Sequence, residues 1–164
     1  MSKFKLQKPV IHIPTIKKWL ISREAMTEKV VELGFVPLYP DGVHQQYCYT
    51  DVEGLAKMLP DLLLASSLYK KDVFTCINYA YKVWNECSGR YGINTWVPII
   101  GRIPNYTVRH AWQLIMLGNE QGIDLDKSLF FEPNDGWQMG VDLEMAYQAF
   151  PIGEEGYLGE FIFY

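Results

Sequence analysis

The sequence predicts an α+β fold, with helices packed on one side of an antiparallel sheet. Three observations point there. In the first half of the 164-residue chain, apolar residues recur at helical spacing behind capping residues. In the second half, short apolar or alternating runs are separated by turn residues. That order, helices and then strands, segregates the two kinds of element into separate layers. Finally, 49% of the residues are apolar, enough for a sizeable core without disulfide staples.

Thr15 to Ile21 is read as a short helix. A clearer helix runs from Ser22, its cap, to Leu33, with Met26, Val30, Val31 and Leu33 as its apolar face and Gly34 as its stop. "FVPLYPDG" is extended and then turns at Pro40-Asp41-Gly42. Thr50 and Glu53 form a capping-box pattern for a helix to about Leu59, and Pro60 starts a further helical piece, "PDLLLASSLY". Asp72 is the expected cap of the next helix, whose Val73, Ile77, Ala80, Tyr81 and Trp84 recur at helical spacing and which Gly89 closes. "NTWVPIIGRI", "RHAWQLIML", "SLFFEP" and "YLGEFIFY" follow as strands, with "GNEQG" as a turn. The length suits one domain over residues 1–164, a helical part over 1–67 followed by a helix plus antiparallel sheet over 68–164.

The net charge of −4 gives no basic footprint, so neither nucleic acid nor an anionic membrane is an expected partner. The N-terminus lacks a continuous apolar stretch of signal-peptide type and no run reaches membrane-span length, so a cytoplasmic location is expected. Three cysteines, Cys48, Cys76 and Cys87, have neither the even count nor the spacing of a disulfide framework or a zinc site.

Cys76 has a distinctive position, just inside a helix start, where unpaired N–H groups and the helix dipole favour a thiolate. His110 opens a strand 34 positions later, and Glu132 ends the next strand 22 positions after that, followed by Asn134. Adjacent antiparallel strands bring the start of one beside the end of the next, so His110 and Glu132 share an edge. A helix packed there would align thiol, imidazole and carboxylate for nucleophilic catalysis, with the Cys76 N–H or a side-chain amide facing the oxyanion. Each residue also has a plainer use. Cys76 can be a buried core thiol, His110 a satisfied strand-edge histidine, Glu132 a solvated strand end and Asn134 part of a turn. Trp112 and Trp137 fit either a core or the lining of a substrate cleft. Asp124 and Asp126 in "GIDLDKS" lack the full pattern of a calcium loop and are read as a solvated turn. Cys48 is read as packed in a strand and Cys87 as inert, near a helix end.

Cys at a helix start, then His-Ala-aromatic on a strand, then "FEP" with an amide two places after the Glu, resembles the papain-like cysteine peptidase superfamily. Within it the similarity is to the papain-like domain of a mushroom agglutinin and its bacterial and phage relatives, over residues 68–137. The resemblance implies a papain-like fold and a Cys76–His110–Glu132 triad, with Asn134 where relatives often carry Gln. It implies a thiol hydrolase acting on a peptide or amide bond, with a peptide or a peptidoglycan-type cross-link as substrate. Relatives commonly read Asp-Cys-Asp-Asp-Phe-Ala at the nucleophile, and here the residues are Thr75-Cys76-Ile77-Asn78-Tyr79-Ala80. The agglutinin domain is activated by calcium through acidic residues near its site. With those acids absent, this chain is expected to use no cofactor. Two other functions fit the same residues: a non-catalytic binding or phage-assembly module, and a transglutaminase-like acyl transferase.

Overall fold

The computed structural model describes residues 12–37, 44–102, 109–135, 149–151 and 158–162. The architecture is mixed α+β. Strand β1 (Trp19–Ser22) leads into α1 (Arg23–Glu32), then β2 (Val36–Pro37), β3 (Gln46–Tyr49), α2 (Val52–Leu62) and a 3-10 turn at Ser66–Leu68. Helix α3 (Cys76–Glu86) runs into a π-turn at Cys87–Tyr91. Strands β4 (Trp96–Arg102), β5 (His110–Asn119), β6 (Gly122–Phe131), β7 (Ala149–Pro151) and β8 (Leu158–Ile162) complete it. β1 and β3 form a two-stranded antiparallel sheet, and the other strands a six-stranded sheet in the order β2-β8-β4-β5-β6-β7. All its pairings are antiparallel except β2 with β8.

The helices cover both faces of this sheet, not one. On the first face Met26 and Val30 of α1 and Tyr47 and Tyr49 of β3 pack on Trp112, Leu114 and Met116 of β5. On the second, Leu55, Met58, Leu59 and Leu62 of α2 and Val83 of α3 pack on Trp96, Ile115, Leu117 and Phe131. This explains why "HAWQLIML" is apolar without alternation: a strand covered on both sides has no solvent face. No helix among the described residues is long and apolar enough to cross a membrane.

Several local expectations are corrected. Residues 1–67 are not all helical, because β1, β2 and β3 lie within them. The segment read as a helix from Thr15 to Ile21 ends in β1, where Trp19 and Ile21 turn to the core, Leu20 is exposed, and Trp19 stacks on Tyr49. That two-residue alternation overrides helix propensity. Ser22 does cap α1, its Oγ accepting the Ala25 N–H at 3.2 Å, and the left-handed Gly34 follows. Val31, counted on the apolar face, is exposed.

α2 is capped by Asp51, whose Oδ1 accepts the Gly54 N–H at 2.8 Å, while the Thr50 hydroxyl is buried against the Lys17 carbonyl. Pro60 lies inside the last turn of α2 rather than starting a new helix. Its missing N–H removes one helical bond, and the buried row from Leu55 to Leu62 holds the turn in place. Asp72 caps nothing. It takes the left-handed corner (φ 62°) of a tight turn in which Lys70 and Phe74 exchange backbone hydrogen bonds at 2.9 and 2.8 Å. Thr75 is the cap of α3, whose buried face is Tyr79, Ala80 and Val83, and Val73 is exposed. Gly92, in the left-handed region, ends the π-turn in place of Gly89. Asp124 and Asp126 lie on β6 rather than in a turn. The Pro40-Asp41-Gly42 turn falls outside the described residues.

Candidate active site

The site forms where the start of α3 meets the start of β5. Thr75 begins the helix with its own N–H donated to Asn78 Oδ1 at 2.9 Å, half of a capping box. Cys76 is therefore the first helical residue, half-buried, at the positive end of the helix, where its sulfur accepts the Ile77 backbone N–H. His110 is the first residue of β5 and pairs with Gly101 of β4. Pairing of β5 with β6 begins only at Gln113, opposite Phe131. Glu132, the residue after β6, thus reaches the opening of β5 on the face that carries His110 and Trp112.

His110 Nε2 and Glu132 Oε2 lie 2.6 Å apart, with the two residues only 4% and 1% exposed. Glu132 Oε1 accepts the Asn134 backbone N–H at 3.2 Å. With Nε2 held by the carboxylate, Nδ1 is the nitrogen left for the Cys76 thiol, to which the ring is hydrogen-bonded. Burial pushes the Cys76 thiol up, but the His110 hydrogen bond and charge, with the backbone N–H groups of Ala111 and Ile77, outweigh it and leave the thiol lowered. Burial pulls the His110 imidazole down, but hydrogen bonds to Cys76 and Glu132 and the charges of both raise it to about 9. Both shifts favour the thiolate–imidazolium form of the pair. The other two thiols move the opposite way. Burial raises Cys48 against a weaker pull from Lys18, and raises the fully buried Cys87 well above the ordinary range.

The structure thus brings together Cys76, His110, Glu132 and Asn134. Asn134 is buried, and its backbone N–H joins the site through Glu132 Oε1. Trp112 is fully buried, stacked on His110 with ring centroids 6.0 Å apart and edge-on to Phe130, so it belongs to the core wall behind the imidazole rather than to a cleft surface. Trp137 lies outside the described residues, as do 103–108 and 136–148, which flank the site in sequence.

The Glu132 segment is anchored from a part of the chain in which the sequence suggested no site residue. Leu64 donates its N–H to the Pro133 carbonyl at 2.8 Å and accepts the Asp135 N–H at 3.0 Å, and Asp135 Oδ1 accepts the Ser66 N–H at 2.5 Å. Tyr79 of α3 donates its hydroxyl to the Ala65 carbonyl at 2.9 Å, closing a ring of contacts around the site. Gln113, the single polar residue in the run from Ala111 to Leu117, is a further buried polar group, marked in the sequence only by that interruption.

A calcium ion does not fit beside this cysteine. Ile77 offers no side-chain oxygen, and Asn78 Oδ1 is occupied by the cap. No cluster of three His, Cys, Asp or Glu side chains able to hold a metal occurs among the described residues.

What the arrangement can do chemically is make and stabilise a sulfur nucleophile beside a proton carrier whose orientation is fixed by a buried carboxylate. In comparisons with known proteins, the chain matches no family model, and no curated protein matches it.

Proposed function

We propose that this chain is a papain-like thiol hydrolase that cleaves a peptide or amide bond, an isopeptide or cell-wall cross-link included. The observation that carries this reading is the buried 2.6 Å contact between His110 and Glu132 beside a thiol that, alone of the three, is lowered. The Cys76 thiolate attacks the carbonyl carbon, forming a C–S bond and a tetrahedral oxyanion. The backbone N–H of Cys76, at the start of α3, is the donor proposed for that oxyanion. His110 gives its proton to the leaving nitrogen, the C–N bond breaks, and a thioester remains. Water, deprotonated by His110, then adds to the thioester. The C–S bond breaks, and the acid and the thiolate–imidazolium pair are released. Glu132 keeps Nδ1 of the ring directed at sulfur throughout.

Wild type and Cys76→Ala are compared on a panel of peptides, isopeptides and cell-wall peptides. Cleavage by wild type and its loss in the variant are expected. Equal activity of the two would end this reading. A second reading on the same three residues is acyl transfer to an amine in the transglutaminase manner, which differs from hydrolysis only in the acceptor that reaches the thioester. Hydroxylamine separates the two: a transferase converts the acyl group to hydroxamate in preference to acid.

A further inference from the structure

Gln113 is fully buried in β5, in the layer where α3 packs on the sheet. Its Nε2 donates to the Ala80 carbonyl of α3, and its Oε1 has no hydrogen-bond partner among the described residues. Neither atom is needed for packing. Ala80 is inside a helix, so its carbonyl already accepts the N–H of the residue four places on. An apolar side chain of the same size would bury no unpaired amide oxygen.

The bond does something that apolar contacts do not. Burial of apolar surface is non-directional and resists sliding of a helix over a sheet only weakly. A hydrogen bond at a defined angle resists it directly. Its two feet are on the two elements that carry the reacting groups. Ala80 is one helical turn beyond Cys76, and Gln113 is on the same strand as His110, a few residues along. We propose that Gln113 is a positioning residue for the Cys76–His110 pair. Its amide pins α3 to β5 and so fixes the approach of sulfur to imidazole. This rests on the thiol-hydrolase reading, because it assigns a role within that site.

The full chain is compared with Gln113→Leu and Gln113→Met, which remove the amide at similar volume, and with Gln113→Glu. A buried carboxyl stays protonated, so the Glu variant keeps an O–H donor for the Ala80 carbonyl. Iodoacetamide alkylation of Cys76 is followed across pH by peptide mass spectrometry, beside thermal unfolding. The Leu and Met variants are expected to unfold no earlier than wild type yet alkylate Cys76 about tenfold more slowly near pH 6, with the profile displaced upward by about one unit. The Glu variant is expected to recover most of the rate. Folded Leu and Met variants with the wild-type profile would overturn the positioning role and leave the hydrolase reading intact. A wild-type Cys76 that alkylates no faster than Cys48 would overturn both. Failure of all three variants to fold would make Gln113 a determinant of the fold and likewise overturn the inference.

Discussion

Replacing Glu132 by Gln keeps the side chain's size and removes its charge, and the structure gives the effect a magnitude. His110 rises from 6.5 to about 9 against the downward pull of its burial, and of the four influences that raise it, two come from Glu132 and two from Cys76. The whole elevation corresponds to about 3 kcal/mol at ~1.4 kcal/mol per pKa unit, and neutralising Glu132 removes its part of it. Geometry adds to the loss. The carboxylate serves two donors with two oxygens, the His110 ring and the Asn134 N–H. Glutamine has a single acceptor oxygen, so one donor goes unserved. The imidazolium should fall by at least about one unit, and the thiolate fraction near pH 6 by about tenfold or more. The assay is the rate of Cys76 alkylation against pH, with unfolding temperature as a check on the fold. A Glu132→Gln protein that is folded and alkylates within about twofold of wild type at every pH would refute the idea that this carboxylate supports the ion pair.

Three further outcomes follow from the same structure. His110, being raised, contributes stability that is complete below about 6.5 and lost as pH rises through about 9. Cys76, being lowered, contributes stability present above the ordinary thiol range and lost as pH falls through its folded value. Between the folded titration of Cys76 and about pH 9, folded and unfolded chains above about 6.5 each hold one proton on the pair, so urea midpoints should stay level there, whereas Cys76→Ala should lose stability with rising pH. Equal slopes in the two proteins would contradict this. Gly118→Ala would drive a Cβ into the Gly122 carbonyl across the β5–β6 turn, and thermal unfolding should show a loss of about 3 kcal/mol. Tyr91→Phe removes the hydroxyl bond to Asp61 Oδ2 at 2.6 Å, which Arg90 shares at 2.8 Å, and should cost about 1 kcal/mol in denaturant titration.

β4, β5, the end of β6, β8 and the helix from Ser22 were legible because their signals are local: a cap, a stop, a run of apolar residues; β7, three residues long, carried no such signal. Thr15 to Ile21 was not, since its pairing with β3 depends on residues far along the chain. Asp72 misled because the same residue type favours caps and left-handed turns, and only the Lys70–Phe74 bonds decide between them. Helices on both faces of the sheet follow from the unbroken apolar character of β5, which periodicity alone does not distinguish from a short core segment. At the site, the reasoning that antiparallel neighbours share an edge led from sequence to the His110–Glu132 contact. It could not supply the Asn134 backbone donor, the Leu64 anchor or the Gln113 tie, which depend on tertiary placement.

Strand β8 lies between β2 and β4, with Phe161 the partner of both Val36 and Ile100. During synthesis, β2 emerges from the ribosome long before β8, its partner strand. The six-stranded sheet therefore cannot be completed while β8 is still in the exit tunnel, and a nascent chain stalled there exposes the unzipped edge of β4 to chaperones and to other chains.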